Sequence, residues 1–323
     1  MSSDSELAIE CETCNAKKPT EPLASDCCGT GCNPCVFDLY EKELGSWREA
    51  CERCHDGVGL GTSEHHEPAR NIQNLSVDDA LSPNEYRSLK LGNITRVSHD
   101  SAVYSFNLLG NSRLNLGVGQ HMILRGSVNS KMITRQYTPI SPSGSRGHFV
   151  VLIKVYENGA MSQYIKQWTE GDEVSWRGPF GSFSYQPNKN RRIVMLAAGT
   201  GIAPMLQVIR HIVTNDDDET FVRLLFANRT YEDILLRETL NELTAYWNFT
   251  VLYALSQGQS GQHPQGYGEN FHYGRIDQDM IAEELKTTPE QDTLLLICGT
   301  KSFDKDMIKF LNKLDFKGQY FKF

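Results

Sequence analysis

Arg192-Ile-Val-Met-Leu-Ala-Ala-Gly-Thr-Gly-Ile-Ala-Pro204 is the stretch on which the fold turns. After Arg192 it is apolar without alternation as far as Ala198. A strand of that composition has both faces buried, as in a parallel sheet covered by helices on either side. Gly199-Thr-Gly201 breaks the run, and apolar residues at helical spacing follow from Pro204 to Val213. The same grammar repeats downstream. Phe221–Ala227, Phe249–Leu255 and Thr293–Cys298 are further apolar runs, while Ile234–Ala245, Asp277–Leu285 and Phe303–Leu314 have helical spacing. Strands alternating with helices predict an α/β domain over residues 190–323. Gly199 and Gly201 let backbone approach a ligand where a helix begins, a position that favours anionic oxygen. Ile297-Cys-Gly-Thr300 ends the fourth apolar run. Ligands sit at the strand C-termini of such sheets, so Gly199 and Gly299 are expected to face one crevice. The acidic run Asp216-Asp-Asp-Glu219 is expected as a solvated loop.

Residues 84–187 read differently. Short alternating runs (Lys90–Val97, Val103–Leu109, His121–Leu124, Phe149–Tyr156, Glu173–Trp176) are separated by turn signals such as Ser98-His-Asp100 and Glu157-Asn-Gly159. Their even spacing predicts an antiparallel barrel or sandwich. One helix, over Met161–Gln167, interrupts it, and Gly178-Pro-Phe-Gly181 is expected as a tight loop closing it. Residues 57–83 carry Gly57, Gly59, Gly61 and the polar run Thr62-Ser-Glu-His-His-Glu-Pro68, which predicts a linker.

The 323 residues suit about two ordinary domains. With 32 basic and 40 acidic residues the net charge is −8, which argues against a nucleic-acid partner. Mean hydropathy is −0.43, and no stretch approaches the ~18 apolar residues of a membrane span. The first ten residues hold three acids and no base, unlike a signal or transit peptide. The expected location is the cytoplasm, or an organelle interior reached without a recognisable targeting signal, and not the outside of the cell.

Eight of the nine cysteines precede residue 56: Cys11, Cys14, Cys27, Cys28, Cys32, Cys35, Cys51 and Cys54. They define a Cys-rich module over residues 1–56. Without a secretory signal a disulfide framework is disfavoured. Three C-x-x-C pairs in a module too small for a large core suit thiolate ligation of zinc or an iron–sulfur centre, with redox-active thiols as the remaining reading.

Two further peptides carry chemistry. Arg135-Gln-Tyr-Thr-Pro139 places a cationic fork beside strand-forming residues, and Gly159-Ala-Met-Ser162 opens a helix whose first N–H groups suit a pyrophosphate. Taken with Gly117-Val-Gly-Gln-His121, Met161-Ser-Gln-Tyr164, Arg177-Gly-Pro-Phe-Gly181, Gly199-Thr-Gly-Ile-Ala-Pro204, Phe226-Ala-Asn-Arg-Thr230, Asp233-Ile-Leu-Leu-Arg237, Cys298-Gly299 and the terminal Phe323, they form an ordered set. In that set residues 84–323 resemble NADH–cytochrome b5 reductase, of the ferredoxin-reductase-type flavoproteins. Residues 18–44 resemble a small oxidoreductase-like N-terminal domain.

The resemblance implies an antiparallel FAD-binding β-barrel at 84–187 and a Rossmann-like nucleotide-binding domain at 190–323, hence an α+β and α/β chain with a small Cys-rich N-terminal module. It implies that Arg135 meets the FAD phosphates and that Tyr137, Thr138 and Pro139 lie along the flavin, Thr138 nearest the reacting nitrogen. Lys154, Tyr156, Gly159, Met161 and Ser162 would line the flavin tail, with Gly178 and Gly181 closing the barrel beside it. Thr200 and Pro204 would sit between flavin and nicotinamide, Gly199 and Gly201 would form the cofactor-binding turn, Cys298 and Gly299 would flank the nicotinamide, and Asp233 would favour NADH over NADPH. Thr138 and Cys298 are the implied catalytic positions, Thr138 as a polariser and Cys298 without a covalent role. The implied activity is electron transfer from NADH through FAD to a one-electron acceptor, a haem protein of the cytochrome b5 type.

Some positions depart from that pattern. Ala197-Ala198 replaces a glycine pair, Ala160 replaces a frequent lysine, and Thr300-Lys-Ser-Phe303 follows Cys298-Gly299 where a proline run is usual. Arg229 stands where an arginine accommodates a 2′-phosphate, which keeps NADPH open as a donor. These departures also leave a second reading open, a partner-binding protein with a structural-zinc module and a degenerate flavin domain.

Overall fold

A computed structural model describes residues 36–55, 79–259 and 269–323, with residues 19, 21, 261 and 266 in addition. The chain divides into two units, Met1–Val77 and Asp78–Phe323. In the first unit the described element is a helix, α1 (Val36–His55), with Asp38 in its first turn, where a carboxylate suits the helix dipole. Cysteine spacing predicted no element there, although Glu, Leu, Arg, Lys and Ala, which favour helix, make up ten of its twenty residues.

The second unit holds two six-stranded sheets. The first is antiparallel, with β1 (Arg87–Arg96), β2 (Ser101–Asn107), β3 (His121–Val128), β4 (Lys131–Tyr137), β5 (His148–Lys154) and β6 (Glu173–Phe180) in the order β4-β3-β6-β1-β2-β5. A bridge between Pro139 and Val151 brings the two ends together, as a barrel requires. Alternation puts Phe106 and Phe149 inside, each edge-on to Trp176 with ring centroids 5.2 and 5.6 Å away. A short helix, α2 (Ala160–Ile165), lies where Met161–Gln167 is expected and drops Met161 and Ile165 into this core.

Three features differ from expectation. Ala80, Leu81 and Ser82 are buried, and the Ser82 carbonyl accepts the Gly178 N–H at 3.0 Å, so barrel packing starts inside the stretch read as linker. A run of three residues is too short to show a period. Gly178-Pro-Phe180 is the end of strand β6 rather than a loop. Strand β4 was not marked by alternation, because only Ile133 of its seven residues is buried.

The second sheet is parallel throughout, in the order β10-β9-β8-β7-β11-β12. Its members are β7 (Arg192–Ala198), β8 (Phe221–Asn228), β9 (Phe249–Leu255), β10 (Phe271–Tyr273), β11 (Thr293–Cys298) and β12 (Gln319–Lys322). Both faces are covered. Ile193 and Met195 of β7 pack with the buried side of α3 (Ile202–Val213) and with Leu240 of α4 (Arg237–Leu243), whereas Val194 and Leu196 pack with Ile281 of α5 (Gln278–Leu285) and with Met307 and Leu311 of α6 (Lys301–Lys313). Strands β10 and β12 have three and four residues, too few for a periodic pattern. Helix α4 begins at Arg237 rather than Ile234, because the Asp233 carboxylate takes the Thr230 N–H at 3.3 Å and holds Thr230–Asp233 in a turn. The acidic run is only partly solvated: Asp218 is buried and accepts the Tyr185 hydroxyl at 2.6 Å. Among the described residues no helix is long and apolar enough to cross a membrane.

One buried group makes barrel stability pH-dependent. His121 of β3 has an Nε2 without a hydrogen-bond partner among the described residues, and burial lowers its pKa to about 4. The unfolded imidazole titrates near ~6.5, so between that pH and about 4 the unfolded chain binds a proton the folded one refuses. Stability is full above that window and falls as pH drops through it. In urea unfolding, the stability of the wild type relative to His121→Gln should therefore fall by about 2–3 kcal/mol between pH 7 and pH 4. A constant gap between the two would contradict this.

Candidate functional site

The C-terminal edge of the parallel sheet opens into a crevice of about 810 Å³. Gly199, Thr200, Arg229, Asp233 and Gly299 line it from the α/β side, and Asp100, Ser101, Lys154 and Tyr156 from the barrel side. Gly199 and Gly299 thus face one cavity.

Backbone fit builds the floor. Strand β7 passes through a single 3-10 turn, Gly199–Gly201, into α3. Gly199 has φ +54°, a left-handed conformation that glycine adopts at no steric cost. Gly201 lies against the neighbouring strand end, so a Cβ placed on it would sit 2.1 Å from the Cys298 carbonyl oxygen. Ala197 and Ala198 are ordinary strand residues in register with β8, and Ala197 also pairs with Cys298 of β11. Alanine costs nothing there, and the replaced glycines do not argue for a degenerate site. Pro204 is buried in the first turn of α3 and, against expectation, is not among the residues lining the crevice.

The Cys298 thiol is pushed up to about 12, first by burial and then by the neighbouring Asp304 carboxylate. It stays protonated at neutral pH and is no nucleophile, which agrees with the absence of a covalent role. Its side chain is not among those lining the crevice, whereas Gly299 is.

On the barrel side, Arg135, Tyr137 and Thr138 are half-buried at the end of β4. Arg135 donates to the Thr134 carbonyl at 2.6 Å. Tyr137 stands edge-on to Trp176 at 6.0 Å, and burial raises its phenol pKa, so it remains neutral. Lys154, ending β5, bonds Asp100 at 2.7 Å, and Tyr156 is half exposed. Gly159 enters α2 without a side-chain cap, and the buried Ser162 hydroxyl accepts the Tyr156 N–H at 2.9 Å. A cationic fork, tyrosine rings and an uncapped helix start suit a phosphate-bearing aromatic cofactor. Lys154 and Tyr156 line the crevice, whereas Arg135, Tyr137, Thr138, Gly159 and Ser162 are not among its lining residues. Met161 departs from the expectation: its side chain is in the barrel core, which leaves only its backbone to meet a ligand. Gly178 packs on Met122, and Gly181 has φ +118° beside His121, so both shape the barrel rather than the crevice.

Spacing gave no sign of the residues that fasten the two sheets together. Gln207 of α3 donates to the Pro139 carbonyl at 2.8 Å and accepts the Gly119 N–H at 2.9 Å, and Arg210 donates to the Ile140 carbonyl at 2.5 Å. Partners separated by about 70 residues or more have no local pattern to betray them. Nor is Asp233 a bare charge. Arg229 Nε lies 3.2 Å and His99 Nδ1 3.6 Å from its carboxylate.

Of the eight N-terminal cysteines, Cys51 and Cys54 fall one turn apart on α1. Cys11, Cys14, Cys27, Cys28, Cys32 and Cys35 lie outside the described residues, as does the side chain of Cys54.

Comparison with known proteins agrees with this geometry. Residues 88–185 match an oxidoreductase FAD-binding domain, 195–310 an oxidoreductase NAD-binding domain, and 15–56 the N-terminal domain of oxidoreductase-like proteins. The chain is 43% identical over 295 residues to an NADH-cytochrome b5 reductase-like protein of Mus musculus, covering 91% of each. It is 42% identical over 295 residues to the Homo sapiens protein of the same description, covering 91% of this chain and 90% of that one. The solved cytochrome b5 reductase domain of Ulva prolifera nitrate reductase superposes with a TM-score of 0.65 at 30% identity, over 76% of this chain and all of that one.

Proposed function

Since the chain belongs to the NADH–cytochrome b5 reductase family of FAD- and NAD-binding oxidoreductases, we propose that it passes electrons from NADH through FAD to a one-electron haem protein of the cytochrome b5 type. The observation that carries this reading is the shared crevice, into which the Gly199-Thr200 turn and Gly299 open from one side and Lys154 and Tyr156 from the other.

FAD supplies the step from paired to single electrons, since it accepts hydride and releases electrons singly. The chain's own residues position and exclude. Arg135 and the start of α2 would hold the phosphates, with Lys154 beside the tail. Tyr137 and Thr138 would lie along the ring system, Thr138 donating a hydrogen bond to it. The small Gly199–Gly201 turn would let the nicotinamide approach the flavin, as hydride transfer needs reacting atoms about 3–3.5 Å apart. No proton need be moved by a side chain, and the protonated Cys298 thiol is consistent with that. The N-terminal module is read as a thiolate site for zinc or an iron–sulfur centre, which the one-turn spacing of Cys51 and Cys54 supports.

The test uses the purified full chain with NADH, offered ferricyanide or oxidised cytochrome b5. Reduction of both is expected. Reduction of ferricyanide alone would remove the assigned acceptor, and reduction of neither would remove the whole reading.

A further inference from the structure

At one end of the crevice a charged cluster joins the barrel to the α/β domain. Arg229 and Asp233 follow strand β8, whereas His99 and Asp100 lie in the turn between β1 and β2. The Arg229 guanidinium is shared. Its Nη2 lies 3.3 Å from Asp100 Oδ2 and 3.2 Å from His99 Nε2, and its Nε lies 3.2 Å from Asp233 Oδ2. Asp100 is shared too, since Lys154 bonds the same oxygen at 2.7 Å. The two carboxylates are 19% and 11% exposed while Arg229 is 49% exposed, so the cation is gripped from beneath and open above.

The place is informative. In a parallel-sheet nucleotide crevice, the segment after the strand next to the glycine turn reads the 2′ position of the ribose. A carboxylate there binds the hydroxyl, and an arginine there accommodates a phosphate. This chain puts both groups at that point, in contact, so the Asp233 charge is already matched. A 2′-phosphate reaching Arg229 must draw it from two carboxylates, and one of these comes from the barrel.

We propose that Asp100, a barrel residue, sets the balance between NADH and NADPH by holding Arg229, so that the chain takes both donors with a bias toward NADH. The inference rests on the nucleotide reading above. Asp100 is a positioning residue here: it acts through the guanidinium. Removing its charge frees Arg229 and takes one negative group away from an incoming phosphate. Removing Arg229 leaves two carboxylates facing that phosphate.

The test is calorimetric binding of adenosine 2′,5′-bisphosphate and of 5′-AMP to the full-length flavin-loaded protein, for the wild type, Arg229→Ser and Asp100→Asn. Flavin content is checked in each, because Asp100 also holds Lys154. The ratio of the two affinities cancels any shared loss of folding. Relative to the wild type, Arg229→Ser should lower the preference for the bisphosphate at least tenfold and Asp100→Asn should raise it three- to tenfold. The KM ratio for NADPH and NADH should follow, with much smaller changes in the kcat ratio. Equal affinity ratios in the three proteins, or no binding of the bisphosphate by the wild type, would overturn the assignment. Flavin reduction by NADH in those same preparations would leave the proposed function standing, so the two failures are distinguishable.

Discussion

Gly201→Ala should slow flavin reduction by NADH more than a hundredfold while leaving a folded, flavin-containing protein. The added Cβ would meet the Cys298 carbonyl oxygen at 2.1 Å, its carbonyl carbon at 2.6 Å and the Gly299 nitrogen at 3.0 Å. All three are backbone atoms, so no side chain can swing aside. Strands β7 and β11 are locked in register from Thr293↔Arg192 to Cys298↔Ala197 and cannot slide to make room. What can move is the Gly199–Gly201 turn or the Cys298-Gly299 peptide, by about 1 Å, and both form the nicotinamide side of the proposed site. A displacement of that size costs on the order of a hundredfold in a reaction that depends on ring placement. Overpacking should cost about 1–3 kcal/mol of stability as well. Gly199→Ala is the control. Nothing lies within 4 Å of its added Cβ, so only the left-handed φ of +54° is penalised, at about 1 kcal/mol. Stopped-flow absorbance with thermal unfolding separates the two variants, and comparable rates in both would show that the contact at Gly201 does not govern the site.

The second large effect is expected at Arg135. Its guanidinium is half-buried at the end of β4 and bonded to the Thr134 carbonyl at 2.6 Å. If it forks onto a pyrophosphate, Arg135→Ala removes about two charge-assisted hydrogen bonds of ~1.5–3 kcal/mol each. FAD affinity should then fall on the order of 10²- to 10⁴-fold, and the protein should lose its colour on gel filtration. Arg135→Lys should fall in between, because a lysine keeps the charge and loses the planar fork. Fluorescence of released flavin measures both. Retention of FAD by Arg135→Ala at wild-type affinity would exclude a phosphate contact.

The parts of the fold open to sequence reading are those with a local physical signature. Ile193–Ala197 read as a buried parallel strand because each side chain meets a helix layer on one face or the other. Phe149, Val151 and Ile153 point into the barrel core while Val150 and Leu152 pack on the α/β side, so this strand is legible as an apolar, β-branched run between turn signals rather than by alternation. Strand β4 was not legible, since Ile133 is the one buried residue among its seven. The Arg135-to-Pro139 peptide was found by likeness to a family, not by periodicity. The glycine turn was visible, but which backbone Gly201 meets depends on Cys298, almost a hundred residues on. The grip of Asp100 on Arg229 spans 129 residues, so Asp100 read only as part of a turn signal and Arg229 only as a 2′-phosphate position. The Asp216–Glu219 run misled for a related reason. A burial partner as distant as Tyr185 cannot be read from a string of four acids.

The most direct measurement is an anaerobic titration of the purified full-length chain with NADH, followed by absorbance. The expected result is a yellow protein with stoichiometric FAD, its flavin band bleached by one equivalent of NADH and restored by a one-electron acceptor. A protein that stays colourless after incubation with FAD, or whose flavin NADH does not reduce, would contradict the stacking of donor and flavin in one crevice.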